Sequence, residues 1–113
     1  MKTLRKLLTP IFLLIGITAM AGEIDTLKFE VKGNCEMCKE RIEEALDVRG
    51  IKSADWNVES KIIVIVYDKS MINEIRIHHL IAAAGYDTPR EKASDKAYSN
   101  LPGCCHYSRE QKE

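Results

Sequence analysis

The sequence predicts one small α+β domain, with a four-stranded antiparallel sheet and two helices on one face of that sheet. Three observations lead to this fold class. Apolar and polar residues alternate in several short segments, which is typical of half-buried strands. Two longer segments instead repeat apolar residues at helical spacing. The helical segments follow the first and third strands, so the predicted order of elements is βαββαβ.

The first strand and the first helix follow one another directly. Residues 24–33 alternate, and their inward side carries Leu27, Phe29 and Val31. Gly33-Asn34 then breaks the strand. Residues 38–50 have the helical period, with Gly50 as terminator. The buried face of this helix holds Ile42, Ala45 and Leu46, and its charged residues, among them Lys39, are predicted to lie in solvent.

The next two strands are predicted from alternation and from β-branched composition. Residues 51–59 alternate, with Ala54, Trp56 and Val58 on the inward side. Residues 62–68 are β-branched almost throughout, with Ile63, Ile65 and Tyr67 facing the core. The opposite side of this strand carries Ile62, Val64 and Val66. These three residues predict either a partly covered back face or a surface that contacts another protein.

The second helix is predicted over residues 70–87, with Ser70 as its cap and Gly85 at its end. Its buried stripe consists of Ile77, Leu80, Ile81 and Ala84, so His78 and His79 are predicted to be a solvated pair. A final strand near residues 88–92 would complete the ferredoxin-like arrangement. Pro89 confines that strand to an edge of the sheet.

Residues 1–21 have the layout of a cleaved secretory signal. Lys2, Arg5 and Lys6 precede an apolar run, and the small-x-small site ends at Ala21. The apolar run is short for a bilayer span of about 20 residues, and an uncleaved anchor is the alternative. We therefore expect an exported protein, periplasmic if the source is Gram-negative. Cleavage would leave a domain at 22–92 and a C-terminal tail at 93–113.

The charge balance excludes some classes of partner. Removing the signal lowers the number of basic residues from 17 to 14, against 17 acidic ones, for a net charge of −3. This balance does not favour nucleic acid or an anionic membrane surface, and we expect a monomer whose only membrane contact is through the signal. The sequence has no nucleophile–base constellation and no paired carboxylates, so we do not expect an enzyme.

The pair Cys35 and Cys38 stands between the first strand and the first helix. The N-terminus of a helix offers free N–H groups and partial positive charge, which favour thiolates. Thiolates are soft ligands that suit Cu(I), Hg(II) or Zn(II). The spacing predicts a soft-metal clamp. A thiol–disulfide exchange protein of an oxidising compartment is the alternative function.

A second pair, Cys104-Cys105, stands in the tail, followed by His106, which is a further candidate ligand. One interpretation is that the tail folds back, so that Cys104, Cys105 or both raise the coordination number to three or four. The other is that these cysteines form disulfides with Cys35 and Cys38 or with another chain, since a vicinal bond is strained. Tyr98, Leu101 and the cysteines are the residues expected to dock, and the end of the tail is expected to be mobile.

The segments "CEMCKERIEEAL", "VYD" and "AAAGYD" resemble the heavy-metal-associated domain family over about residues 25–88. That family includes copper chaperones, domains of copper-exporting ATPases and the periplasmic mercury-binding protein. The resemblance implies metal transfer by exchange of cysteine ligands with a metal-transporting membrane protein or another metal-binding protein, in a transient complex. Cu(I) is the first expected cargo, and Hg(II) or Zn(II) are alternatives.

The resemblance also implies roles for individual residues. Cys35 and Cys38 would be the metal ligands, and Tyr86 would stand at the loop position that abuts the site. Asn34 and Met37 would be adjacent to it. Members of the family usually read Gly-Met-Thr-Cys, but here Gly33 takes the Met position. Met37 is the candidate to fill the space, and the change bears on the rigidity of the loop and on metal preference.

Overall fold

A computed structural model describes residues 22–109 and shows three strands, three α-helices and one 3₁₀ turn in that range. In chain order they are β1 (Ile24–Glu30), α1 (Glu36–Ala45), β2 (Ile51–Trp56), β3 (Ile62–Asp68), α2 (Glu74–Ala83), α3 (Asp95–Ser99) and the 3₁₀ turn (Gly103–Cys105). The expected signal at 1–21 lies outside the described residues. Within residues 22–109, every helix is too short or too polar to cross a bilayer.

The sheet has the strand order β1-β3-β2, and both pairings are antiparallel. β3 is central, and its bounds agree with the sequence-based prediction. Phe29 of β1 and Trp56 of β2 both lie opposite Ile63, so apolar side chains line up across one face. α1 and α2 cover this face, and the core between sheet and helices includes Ile42, Ile63, Ile65, Ile77 and Ile81.

The predicted fourth strand at 88–92 is wrong for the described residues, which contain a three-stranded sheet. The chain makes a turn there instead. Thr88 N–H donates to the Glu91 carbonyl at 2.8 Å, and the Thr88 hydroxyl accepts from the amides of Arg90 and Glu91. Pro89 has no N–H to donate. Amides that are used within a turn are not available to a strand ladder, so β1 has no neighbour on that side within residues 22–109.

α2 begins later than the sequence predicted. Asn73, rather than Ser70, caps it, because the Asn73 side chain accepts from the Arg76 amide at 2.8 Å. The Ser70 hydroxyl donates to the Asp68 carboxylate at 2.6 Å. The loop before the helix is therefore held by Asp68, and the first helical turn forms only after it.

The prediction of a solvated histidine pair is wrong for His78 and agrees with the structure for His79. His78 is 4% exposed, and its Nδ1 lies 2.7 Å from the Thr88 hydroxyl. Its ring stacks on Phe29 with 4.1 Å between centroids. Burial lowers the pKa of His78, so the ring packs as a neutral aromatic. His79 is exposed and lies 3.0 Å from Glu91.

The back face of the sheet is partly covered. Ile62, Val64 and Val66 of β3 are all half-buried. Their partners across β1 are Glu30, Lys28 and Thr26. Polar side chains therefore flank this apolar row, and the row does not form an open hydrophobic surface. This arrangement agrees with the predicted alternative of a partly covered back face.

The C-terminal extension (residues 93–109) docks against the loop that follows α2. Gly85 has φ of +110°, and a Cβ built there would meet Leu101 at 2.9 Å. Leu101 is buried, as expected. The Tyr107 hydroxyl donates to the Gly85 carbonyl and accepts from the Asp87 amide, both at 2.9 Å. Arg109 adds two hydrogen bonds to the Asp87 carboxylate, at 3.1 and 2.8 Å.

Candidate metal centre

Cys35 and Cys38 lie at the start of α1, as predicted. Cys35 is the N-cap residue, with an extended backbone and no hydrogen bond from its side chain to the helix amides. Cys38 lies in the first turn and is fully buried, whereas Cys35 is half-buried. The Asn34 amide donates to Cys38 Sγ at 3.3 Å. The loop therefore presents one sulfur toward solvent and holds the other beneath the helix start.

The 3₁₀ turn brings Cys105 to the same place. The Sγ atoms of Cys35, Cys38 and Cys105 all lie within 4.8 Å of one another, and Cys105 is fully buried. All four cysteines are free thiols in this structure. The tail folds back onto the loop and brings one of its two sulfurs to the cysteine pair.

Cys104 and His106 lie outside this sulfur cluster. The Cys104 side chain is exposed, and its Sγ lies 3.5 Å from Met37 Sδ. Its carbonyl accepts from the Asn34 side-chain amide at 3.1 Å, which holds the turn on the loop. His106 is exposed, and its ring lies 5.0 Å from that of Tyr98.

Tyr86 is fully buried beside the cluster. Its hydroxyl has no hydrogen-bond partner of ordinary geometry among the described residues, and the titratable groups that act on it are Cys105 and Cys38. Burial, reinforced by these two thiols, holds the pKa of Tyr86 above its ordinary value. Tyr86 therefore offers a neutral O–H donor to the sulfurs.

The two buried thiols have opposite pKa shifts. Burial acts most strongly on Cys38 and opposes ionisation, but hydrogen bonds from the Asn34 amide, the Cys105 thiol and the Cys35 amide together lower the pKa of Cys38. Burial, reinforced by Cys38, raises the pKa of Cys105 to about 12. Of these two buried thiols, Cys38 therefore ionises more readily, and Cys105 keeps its proton beside it.

Trp56 fills the space beside Gly33, and the expectation that Met37 fills it is wrong. A Cβ built on Gly33 would meet the Trp56 ring at 3.0 Å and Cys38 Cβ at 3.2 Å. The indole N–H donates to the Val31 carbonyl at 2.9 Å. Met37 is 46% exposed. The alternating pattern of residues 51–59 places Trp56 in the core but gives no signal for its position under the cysteine loop.

Lys39 holds the helix start against β2, although the sequence predicted it to be solvated. Its ammonium lies 2.7 Å from Glu43, 2.6 Å from Asp55 and 2.8 Å from the Trp56 carbonyl. The hydrogen bond to Asp55, with Glu43 second, raises the pKa of Lys39. Glu43 also accepts from the Trp56 amide at 2.9 Å. These bonds set the position of the helical turn that carries Cys38.

An α+β domain whose loop between a strand and a helix presents a CxxC sulfur pair fits the class of small soft-metal-binding domains, and thiol–disulfide exchange proteins share this placement of the pair. Comparison with known families then gives the particular family. The heavy-metal-associated domain model matches residues 28–87, which is more than half of the chain. The chain therefore belongs to the heavy-metal-associated domain family, as the sequence resemblance indicated. Cys105 and the rest of the docked extension lie outside the matched residues.

Solved structures show the same fold. The "CopZ metallochaperone" is 32% identical, with a TM-score of 0.55, and the match covers 57% of this chain and 98% of that one. The water-soluble region of the P-type ATPase CopA from Bacillus subtilis is 25% identical, with a TM-score of 0.56 and coverage of 61% and 47%. Oxidized MerP from Ralstonia metallidurans CH34 is 24% identical, with a TM-score of 0.55 and coverage of 58% and 94%, and shows the fold alone. No curated protein sequence gives a significant match.

Proposed function

We propose that this protein is an exported carrier of a soft metal ion, with Cu(I) as its first cargo and Hg(II) or Zn(II) as alternatives. The observation that carries the proposal is the convergence of sulfur atoms at the start of α1, where the Cys35 and Cys38 Sγ atoms lie within 4.8 Å of each other. Thiolate sulfur selects thiophilic ions over Mg²⁺ or Ca²⁺. The family and the CopZ-like fold support metal binding.

The sulfur spacing fits such an ion. With metal–sulfur bonds of about 2.3 Å, a linear two-sulfur site places its sulfurs about 4.6 Å apart. The separation of Cys35 and Cys38 is at most 4.8 Å, so the two sulfurs are close enough to bind one ion between them. A structural zinc site usually has four protein ligands. Three of the chain's cysteines form the cluster in the described residues, which favours Cu(I) or Hg(II) over a closed zinc site.

Transfer would proceed by ligand exchange through the more exposed sulfur. Cys35 is half-buried and Cys38 fully buried, so an incoming thiolate from a partner would meet the ion on the Cys35 side. A metal-transporting membrane protein or another metal-binding protein is the partner we propose, in a transient complex. The P-type ATPase among the structural relatives supports this choice. The carrier has no catalytic step of its own in this scheme.

Cu(I) titration of the reduced protein tests the proposal. The parent should bind one equivalent in competition with a Cu(I) chelator, and Cys35→Ser/Cys38→Ser should lose this binding. Cys104→Ser is the matched control, because Cys104 lies outside the sulfur cluster. Retention of parent-like Cu(I) and Hg(II) affinity by the double variant would show that the proposed function is wrong.

Thiol–disulfide exchange is the second candidate, and the half-buried Cys35 thiol, with two other sulfurs within 4.8 Å, favours it. An exchange protein would reduce insulin at a measurable rate and would have an oxidising reduction potential. A strongly reducing couple without insulin-reduction activity would remove this candidate and leave the carrier.

A further inference from the structure

The geometry points to a third protein ligand: Cys105 Sγ binds the same soft ion as Cys35 and Cys38, so that three sulfurs hold it. This inference rests on the proposed function and deepens it, because it names the ligand number of the site and gives the C-terminal extension a role. The third ligand comes from outside residues 28–87, the part of the chain that matches the family.

The distances allow a trigonal site. Metal–sulfur bonds of about 2.3 Å require sulfurs about 4.0 Å apart when three of them surround one ion in a plane. The three Sγ atoms are already within 4.8 Å of one another. No pair is therefore more than about 0.8 Å beyond the trigonal spacing, a difference that side-chain rotation can supply.

The position of Cys105 is set by contacts that do not involve its sulfur. Its amide donates to the Pro102 carbonyl at 2.8 Å, and its carbonyl accepts from the Tyr107 amide at 2.9 Å. The Tyr107 hydroxyl joins this turn to the loop at Gly85 and Asp87. The third ligand is thus held in place before metal arrives, and the entropy cost of ordering it on binding is small.

Tyr86 is a second and independent observation that points to a ligand at this place. Its hydroxyl is fully buried and makes no well-formed hydrogen bond within residues 22–109, although the thiols of Cys38 and Cys105 are close enough to act on it. A buried hydroxyl without a well-formed hydrogen bond is costly. Metal-bound thiolates accept hydrogen bonds, and such donors orient the ligands of a metal site. The contact of Tyr86 with these two sulfurs would become a stronger hydrogen bond when both sulfurs carry the ion.

The adjacent cysteine does not compete for this role. Cys104 Sγ points to the surface beside Met37 Sδ, while its carbonyl binds the Asn34 side chain. The two neighbouring tail cysteines therefore have different positions: Cys105 faces the loop sulfurs and Cys104 faces solvent. This difference supplies a matched pair of variants.

X-ray absorption of the Cu(I)-loaded, reduced protein counts the sulfur atoms around the metal. The parent and Cys104→Ser should each show three sulfurs at one equivalent per monomer. Cys105→Ser should show two, with shorter copper–sulfur bonds, and about tenfold or weaker binding in chelator competition. Circular dichroism should show that Cys105→Ser and Cys105→Ala keep the fold, since both side chains fit the space of a cysteine.

A measurement on the unmodified protein keeps the test independent of any variant. Because Cys38 and Cys105 are fully buried without metal, alkylation rates are compared between metal-free and Cu(I)-loaded protein by mass spectrometry. Cu(I) should slow the labelling of Cys35, Cys38 and Cys105 and leave that of Cys104 unchanged. Two sulfurs in the parent and an unchanged count in Cys105→Ser would overturn the third ligand and leave the proposed function standing. A third sulfur lost in Cys104→Ser, or supplied by a second copy in a dimer, would also overturn it. Parent-like binding by Cys35→Ser/Cys38→Ser would instead contradict the proposed function.

Discussion

Replacing Tyr107 with phenylalanine removes the hydroxyl that joins the C-terminal extension to the loop after α2. The hydroxyl makes two hydrogen bonds of 2.9 Å, to the Gly85 carbonyl and from the Asp87 amide, and Tyr107 is 3% exposed. Phenylalanine keeps the ring but leaves both backbone groups without a partner. A buried polar group left unpaired costs about 1–3 kcal/mol, so two of them, one only part-buried, should lower the free energy of unfolding by about 2–3 kcal/mol.

Urea denaturation of the reduced protein, followed by circular dichroism, measures this loss. Tyr67→Phe is the control, because Tyr67 is equally buried and its hydroxyl makes no hydrogen bond within residues 22–109. Hydrogen exchange should also accelerate at the Cys105 and Tyr107 amides in Tyr107→Phe. Equal losses of stability in the two variants would refute the reasoning, since the cost would then follow the loss of any buried phenol rather than these two bonds.

Three other perturbations test the packing around the site. Gly85→Ala should destabilise the protein by about 1 kcal/mol or more, because Gly85 has φ of +110° and its Cβ would lie 2.9 Å from a carbonyl of α3; thermal unfolding measures this. Burial opposes the ionisation of Asp87, but hydrogen bonds from Arg109 lower its pKa. Stability from Asp87 should therefore be full above the unfolded pKa of about 3.9 and be lost as the pH falls through the lower folded value, and Asp87→Asn should flatten this acid limb in urea titrations. Gly33→Met should displace the indole of Trp56, because the ring lies 3.0 Å from the position of a Cβ at residue 33. Trp56 is the only tryptophan in the sequence, so its fluorescence emission should shift, and an unchanged emission would contradict the packing.

The local sequence pattern predicted the structure correctly where a residue's neighbours in sequence decide its conformation. The β-branched run at 62–68 became β3 with the predicted bounds, because alternation and side-chain shape act within the strand itself. The cysteine pair likewise lies at the start of α1, since a strand break followed by helical spacing leaves only that place for it. Both are properties of a few consecutive residues.

The sequence pattern gave wrong predictions where contacts with other residues decide whether a side chain is buried or how backbone amides are hydrogen-bonded. His78 was predicted to be solvated because it lies outside the apolar stripe of the second helix. Thr88 and Phe29, which come from other segments, bury it instead. The amides near Thr88 are used by its own turn and form no fourth strand. The glycine at position 33 showed that the usual methionine side chain is missing, but it did not indicate that the Trp56 ring fills the space beside the cysteine loop.

The sequence by itself determined the ferredoxin-like order of strands and helices up to the end of α2, the soft-ligand pair and its position at a helix start. The tertiary structure alone decided which tail sulfur joins that pair. Cys104 and Cys105 are adjacent and chemically identical, so composition cannot separate them. The 3₁₀ turn, held by Tyr107 and the Asn34 side chain, directs Cys105 inward and Cys104 outward. That choice depends on contacts between residues 22 positions apart, for Tyr107 and Gly85, and 70 positions apart, for Asn34 and Cys104.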